Sequence, residues 1–450
     1  MVTHCRAKIL PVAAICLVSA LATATVSANE TQGAGPTAGI GGFESLFRGT
    51  SSTNDEMMKR ITDEAESGNI QSEIYLGEYY ERSNPSLSIY WYTMAAKKNS
   101  NDAARALVVI YLRDGNTDMA LSWLRTMVDN GSMEAAYDYG NIVLRSLSAH
   151  GNTNNDKSIA EGLKYMNIAA NGGSGEALHD LAGFYFSGRF VPKNSVKALE
   201  LELKAAKTGN VSAMMGLYFV LNQPSLTEKD TEEARNFLLK ETEGGNMVAS
   251  DVAGMSMVFA HGFQKDEKKG AELVAASANS GVVFAEADLG FLYRNGLGVA
   301  KDDKKATEWY EKAAEAGSMD GLYNAAMAYI NGVGVDKNPG KGVELLRKAA
   351  EKGLASAQFN LAKILLDGKI VPVDESDGVR FLTAAANSML PDADYMLGMM
   401  YIEGRVVEKN TAKGSTYVKL AAMNGNKDAI SEVEKLGIGS IPNQPSVSSK

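Results

Sequence analysis

The chain has 450 residues, of which 45% are hydrophobic and 22% charged, a composition typical of a water-soluble folded protein rather than a disordered or membrane-embedded one. Its net charge of −9 argues against binding to nucleic acid or to an anionic lipid surface, both of which need a basic protein surface. With 44 glycines and 10 prolines, it favours many helices ended by glycines over a β-sandwich.

The first 28 residues have the pattern of a signal peptide. Arg6 and Lys8 precede an apolar stretch over residues 9–24, and small residues follow at 26–28. We expect cleavage after Ala28 and a periplasmic or secreted bacterial protein. An uncleaved membrane anchor is the less favoured alternative, because the apolar stretch is shorter than the ~20 residues that span a bilayer. Both cysteines lie in this segment, so the mature chain would contain no disulfide or thiol. No second hydrophobic stretch of spanning length follows, so we expect no transmembrane segment after cleavage.

The rest of the chain divides by composition and by regularity. Residues 29–55, which include a glycine-rich run, are predicted to be a flexible linker. Irregular helical-hairpin repeats are expected over 56–172, and regular repeats with a C-terminal cap helix over 173–436. Residues 437–450 are predicted to be a disordered tail.

One position recurs along the chain at a nearly constant interval. From Gly173 to Gly425 it returns every 36 residues, usually after an Ala-Ala pair. We call it the anchor, and it is occupied by Gly68, Asn99, Gly131, Gly173, Gly209, Gly245, Gly281, Gly317, Gly353, Met389 and Gly425. A left-handed residue that ends a helix is usually Gly or Asn. We therefore expect such a turn at the anchors and an altered turn at Met389.

The pattern between anchors is helical. Counting from the anchor, apolar residues at +8 and +12 form one ridge of a first helix, and a glycine-containing loop leads to a second helix. Small residues stand at +9 in most repeats and at +25 in the second helix, where they would let the two helices approach closely. The +25 residues are Ala198, Ala234, Gly270, Ala306, Gly342, Gly378 and Gly414.

These repeats resemble the Sel-one-like repeat family, a relative of the tetratricopeptide class of α-solenoids. The closest likeness runs from Leu289-Gly290 through Asn295-Gly296-Leu297-Gly298-Val299 to Ala313-Ala314 and Gly317. The resemblance implies an all-α, right-handed solenoid of about ten helical hairpins, curved, with a long inner groove. For exported members it also implies work at the cell envelope or in host interaction.

No catalytic signature is present in the chain. It has no nucleophile elbow, zinc-protease motif or Walker loop. Gly296/Gly298 and Gly332/Gly334 lie between two helices with no preceding strand, which disfavours nucleotide binding. His150, in an inserted loop, and His179, on a helix face, are expected to have structural roles. We therefore expect no enzyme and no catalytic, cofactor-binding or metal-binding residue.

A row of large and varied side chains occurs at +6, away from the ridge that packs within the hairpin. It contains Ile74, Arg105, Tyr137, His179, Met215, Asp251, Ala287, Tyr323, Phe359 and Tyr395, and Phe291 stands at +10 of its repeat. Such side chains serve either the packing of neighbouring repeats or the recognition of a partner. If they recognise a partner, the predicted partner-binding residues are Tyr137, His179, Met215, Phe291, Tyr323, Phe359 and Tyr395.

The expected function is that of a non-enzymatic scaffold or adaptor that binds envelope or host proteins in cell-envelope assembly, signalling or host interaction. The alternative is a module that binds glycan or peptidoglycan, or that regulates a cell-wall enzyme, with the aromatic residues of the +6 row stacking on sugars.

Overall fold

The computed structural model describes residues 51–149 and 156–438, and all regular structure in these two stretches is helical. Ten successive helix pairs follow one initial helix and precede one final helix. The prediction of an all-α solenoid built from about ten helical hairpins is confirmed. None of the described helices is long and apolar enough to cross a membrane.

The described chain forms two compact units, and their boundary lies inside α10, between Gly216 and Leu217. In the first unit, successive helices pack against each other along the chain up to the helix that begins at Ser195. Its helices are α1 (Ser51–Glu66), α2 (Ile70–Tyr80), α3 (Pro85–Ala96), α4 (Asn101–Arg113), α5 (Thr117–Asp129), α6 (Met133–Ala149), α7 (Asp156–Asn171), α8 (Gly175–Ser187), α9 (Ser195–Lys207) and the first part of α10 (Val211–Leu221).

The second unit has the same sequential packing and more regular hairpins. Its first six helices after α10 are α11 (Glu228–Glu243), α12 (Met247–Phe259), α13 (Glu267–Asn279), α14 (Val283–Asn295), α15 (Asp303–Glu315) and α16 (Met319–Asn331). The remaining helices are α17 (Pro339–Glu351), α18 (Ala355–Asp367), α19 (Glu375–Asn387), α20 (Pro391–Glu403), α21 (Thr411–Met423) and α22 (Lys427–Leu436). The last of these is the predicted cap helix.

The second helix of most regular hairpins begins at a capping Asn or Asp. In each case a side-chain oxygen accepts a hydrogen bond from a backbone N–H of the first turn, which stabilises a helix by about 1 kcal/mol. These caps are Asn194, Asp266, Asp302, Asn338, Asp374 and Asn410. Several loop acids of the sequence therefore serve to start helices.

The anchor residues adopt the left-handed conformation that the sequence predicts. Gly317 has φ +88° and Asn99 has φ +66°. The prediction of an altered turn at Met389 is wrong, because Met389 has φ +56° and keeps the same turn as the other anchors. Its N–H donates to the carbonyl of Ala386, as that of Gly317 donates to Ala314. The packing of the flanking helices thus imposes this backbone on a residue that does not favour it.

The small residues at +9 and +25 lie face to face within a hairpin. A methyl group on Gly270 would lie 2.5 Å from the carbonyl oxygen of Gly254, and one on Gly254 would lie 2.6 Å from that of Gly270. Gly414 and Gly398 form the same kind of contact between α21 and α20. The predicted close approach of the two helices is therefore present, and larger side chains would separate them.

The paired loop glycines have two different roles. Gly296 and Gly332 are left-handed residues that end α14 and α16. Gly298 and Gly334 lie against the preceding hairpin, where a methyl group on Gly334 would be only 1.9 Å from the carbonyl oxygen of Asp303. The second glycine thus permits contact between repeats, and this need accounts for the Gly-x-Gly loop.

Several predictions concern residues outside the described stretches. The signal peptide, most of the linker, His150 and most of the tail belong to this group. The first described helix begins at Ser51, before the end predicted for the linker at residue 55. In the early repeats the connection between paired helices is short, as at 81–84, compared with 296–302 in a regular repeat.

Candidate partner-binding face

The A-face is the side of each hairpin that carries the +6 and +7 residues of the first helix, together with the +10 residue, which lies one turn beyond +6 on the same side of that helix. The seven predicted partner-binding residues lie one per helix, on α6, α8, α10, α14, α16, α18 and α20. All seven are partly exposed. They therefore do not meet in one pocket, and each must be considered with its own neighbours.

In the first unit, Tyr137 contacts the next first helix. Its hydroxyl donates a hydrogen bond to Asp180 Oδ2 over 2.9 Å. Burial and the negative charge of Asp180 raise the pKa of Tyr137, so the phenol stays protonated. Burial also raises the pKa of Asp180, and the bond from Tyr137 partly offsets this effect. This contact joins a +6 residue to the +7 residue of the following repeat.

His179 makes a different contact because Gly216 occupies the +7 position that follows it. Its Nδ1 lies 3.0 Å from both carboxylate oxygens of Glu202, which is 2% exposed. A methyl group on Gly216 would lie 1.5 Å from Glu202 Oε1, so the glycine leaves space for this carboxylate. Burial lowers the pKa of His179, but the bond and charge of Glu202 outweigh it and raise the pKa. Glu202 is not among the candidate residues that the sequence predicts.

In the second unit, Tyr323 repeats the +6 to +7 contact with a different partner. Asn360 Nδ2 donates a hydrogen bond to the Tyr323 hydroxyl over 3.0 Å. Phe359, on the same helix as Asn360, has Lys363 Nζ 5.4 Å from its ring centre. The ring of Phe291 lies 6.1 Å from that of Phe259. These side chains contact neighbouring residues and keep part of their surface exposed.

The second unit also carries acidic residues on its A-face that are not among the seven predicted partner-binding residues. Asp251 on α12 and Asp288 on α14 occupy the +6 and +7 positions of successive repeats, and the negative charge of Asp288 adds to the effect of burial in raising the pKa of Asp251. Asp320, on α16, is close enough for its charge to raise the pKa of Asp288. Comparing the +6 and +7 positions in the sequence would have indicated that two acids face each other here.

His261 lies among aromatic rings of the second unit. Its ring centre is 5.0 Å from that of Tyr218 and 5.7 Å from that of Phe259. Burial lowers its pKa to about 4, so the side chain is neutral at physiological pH. In the part of the chain that the structure describes, no group of three His, Cys, Asp or Glu side chains is arranged to hold a metal ion.

The hairpin repeat and the A-face define a helical-repeat protein whose partly exposed side chains are spread over successive helices. The family model for the Sel1 repeat matches seven segments, which together make up more than half of the chain. They are residues 71–100, 134–174, 175–210, 283–318, 320–354, 355–388 and 391–426. The chain therefore belongs to the Sel1 repeat family. Proteins of this family generally mediate protein–protein interaction and are typically not enzymes.

Several solved structures are similar to this chain. A protective antigen of uropathogenic Escherichia coli with an SLR fold is 26% identical, with 84% of this chain and 90% of that chain covered and a TM-score of 0.42. A Sel1 repeat protein from Oxalobacter formigenes is 25% identical, with 73% and 93% covered and a TM-score of 0.45. Yeast Tom70 is 12% identical, with 82% and 96% covered and a TM-score of 0.41. Among curated proteins, no match was found.

Proposed function

We propose that this protein is a non-enzymatic scaffold of the bacterial periplasm or of the secreted fraction, which binds partner proteins through its A-face. The supporting observation is a set of aromatic side chains in the second unit that keep part of their surface exposed. Phe291, Tyr323, Phe359 and Tyr395 lie on four successive first helices and remain partly exposed after the hairpins have packed. Large aromatic side chains in this state supply much of the binding energy of protein interfaces.

The two helices of a hairpin have different roles in this scaffold. The first helix presents one large side chain per repeat, and the second helix supports it through the close +9 and +25 contact. Each repeat adds one contact at a fixed spacing, which suits a partner with an extended surface. Work in envelope assembly, signalling or host interaction is the setting that we propose for such a scaffold.

The test is capture of partners from an envelope extract with the full chain and with Phe359→Ala/Tyr395→Ala. We expect the wild-type chain to retain specific proteins and the double variant to lose them. The control is Leu420→Ala/Met423→Ala, which removes two exposed apolar side chains from the second helix α21. Equal capture by all three chains would contradict the proposal.

Two further measurements separate binding from packing and from carbohydrate recognition. Thermal unfolding of Phe359→Ala/Tyr395→Ala shows whether the double variant is still folded. Binding of the wild-type chain to purified sacculi, lost in Tyr137→Ala or Tyr323→Ala while protein capture is absent, would favour the peptidoglycan-binding alternative instead.

A further inference from the structure

Three departures from the repeat meet at one point of the first unit. In the six regular repeats that follow, the +29 position on the second helix holds a buried, uncharged residue, namely Leu238, Val274, Tyr310, Leu346, Leu382 and Val418. In the hairpin of α8 and α9 the same position holds Glu202, which is 2% exposed. His179 and Gly216 are the only histidine that any repeat has at +6 and the only glycine that any repeat has at +7.

These three residues fit together. His179 Nδ1 lies 3.0 Å from both Oε1 and Oε2 of Glu202. A methyl group on Gly216 would lie 1.5 Å from Oε1, so the glycine leaves this carboxylate its place in the core. The His179 side chain is 12% exposed, so the imidazole lies between the buried acid and solvent and can exchange a proton with water.

Stability alone does not account for this pair. A buried ion pair is often no more stabilising than well-packed apolar side chains of similar volume. The chain uses such side chains at +29 of later repeats, as at Leu238 and Leu346. Histidine is the side chain whose charge changes near neutral pH. A histidine that compensates a carboxylate at a core position therefore makes the packing of α8 on α9 depend on pH.

Most of the other charges near the pair are negative. Glu176 and Asp180, on α8 itself, act on the imidazole with their charges. On α6, Tyr137 donates a hydrogen bond to Asp180 over 2.9 Å, and Arg145 is the cation near that carboxylate. Among the groups that shift the pKa of either member of the pair, none lies on α7 or on residues 211–216 of α10. Loss of the imidazolium charge therefore leaves a buried carboxylate near two further acids.

We propose that His179 and Glu202 form a pH-sensitive latch between α8 and α9. With the imidazole protonated, the ion pair holds Glu202 in the core beside Gly216. With the imidazole neutral, the carboxylate is a buried charge without a cation, and α8 separates from α9 so that water reaches it. The latch goes beyond the proposed function, because it needs no partner protein.

The direction of the pH effect follows from the sign of the shift in the pKa of His179. Burial lowers this pKa, but the hydrogen bond and charge of Glu202 outweigh burial, so the folded pKa lies above that of histidine in an unfolded chain. Such a group contributes stability that is fully present below about pH 6.5 and is lost as the pH rises through the folded pKa. The latch should therefore be closed at pH 6 and open more often at pH 9.

The test is hydrogen–deuterium exchange of the full chain at pH 6 and pH 9, corrected for the intrinsic exchange rate at each pH. We expect the protection of α8 to fall about tenfold between pH 6 and pH 9, because a buried charge has lost its partner. The reference within the same chain is α18, since Phe359 and Leu382 occupy the +6 and +29 positions of its hairpin. The protection of α18 should not change.

Two variants separate the two members of the pair. Glu202→Leu introduces the residue that is usual at +29, and α8 should then be equally protected at both pH values. His179→Gln removes the titrating group and leaves the carboxylate, so α8 should exchange at pH 6 as fast as in the wild type at pH 9. If Glu202→Leu does not fold, Glu202→Gln removes the charge with little change of shape and should give the same result.

The matched control is Glu200→Gln, which removes an exposed acid from the same helix α9 and should keep the pH dependence of the wild type. The inference is overturned if α8 in the wild type shows no loss of protection, if α18 loses protection equally, or if the variants without the Glu202 charge retain the pH dependence. These measurements use no partner, so their failure is distinct from a failure of the capture experiment that tests the proposed function.

Discussion

Lys312 Nζ lies 2.9 Å from Glu286 Oε1, and this ion pair joins the second helix α15 to the first helix α14 of the same hairpin. The Glu286 side chain is 4% exposed, so the lysine compensates a buried charge. In the last regular repeat, Asp394 and Leu420 occupy the same two register positions. Asp394 is 0% exposed, and neither of its carboxylate oxygens has a hydrogen-bond partner.

Restoring the missing cation should stabilise the second unit. We expect Leu420→Lys to raise the free energy of unfolding at pH 8 by about 1 kcal/mol, because the lysine would pair with a buried carboxylate. Urea unfolding measures this change. Leu420→Gln is the control without a charge. A gain of equal size in an Asp394→Asn background would show that the ion pair is not its cause.

Asp394 should make the protein less stable as the pH rises. Burial raises its pKa to about 7, above that of an aspartate in the unfolded chain. A group with a raised folded pKa contributes stability at low pH and loses it as the pH rises from about 4 through 7. We therefore expect Asp394→Asn to raise the free energy of unfolding by about 2 kcal/mol at pH 8 and to have little effect at pH 4.

The pKa of Asp377 is shifted in the opposite direction to that of Asp394. Hydrogen bonds from Arg347 and Arg380 lower its pKa, so its contribution to stability is present at neutral pH and is lost in acid. Asp377→Asn should therefore reduce stability at pH 8. Chemical unfolding at both pH values compares the two variants, and a loss of stability in Asp394→Asn at pH 8 would contradict the prediction.

The left-handed backbone at Met389 should be relieved by glycine. Met389 has φ +56° and its side chain is 52% exposed, so little packing is lost by removing it. We expect Met389→Gly to raise the free energy of unfolding by about 0.5–1 kcal/mol. Met423→Gly, at an exposed methionine in α21, should instead lower it by a similar amount. The same sign for both variants in urea unfolding would argue against relief of strain.

The second loop glycine should tolerate no side chain. In Gly334→Ala the new methyl group would lie 1.9 Å from the carbonyl oxygen of Asp303, so the contact between two hairpins must open. We expect a loss of about 3 kcal/mol. Gly353→Ala is the matched control, because Gly353 has φ +97° and no atom near its missing side chain. That variant should lose about 1 kcal/mol, and thermal and urea unfolding distinguish the two.

The candidate site was predictable only in part. The +6 row is visible in the sequence because it recurs once per repeat, and it leads to Tyr137, His179 and Tyr323. Their partners were not predictable from the row alone. Asp180 and Asn360 come from the next repeat, and Glu202 is reached only because Gly216 leaves space for it.

Periodicity by itself determined the hairpin repeat, the anchor turns and the face-to-face small residues, because the same local choices recur every 36 residues and reinforce one another. Only the tertiary structure decided that Met389 keeps the left-handed turn and that Asp394 is buried without a cation. These features depend on which side chains of neighbouring helices meet. A residue's own position in the repeat does not contain that information, because the repeat-to-repeat contact joins residues that are distant in the chain.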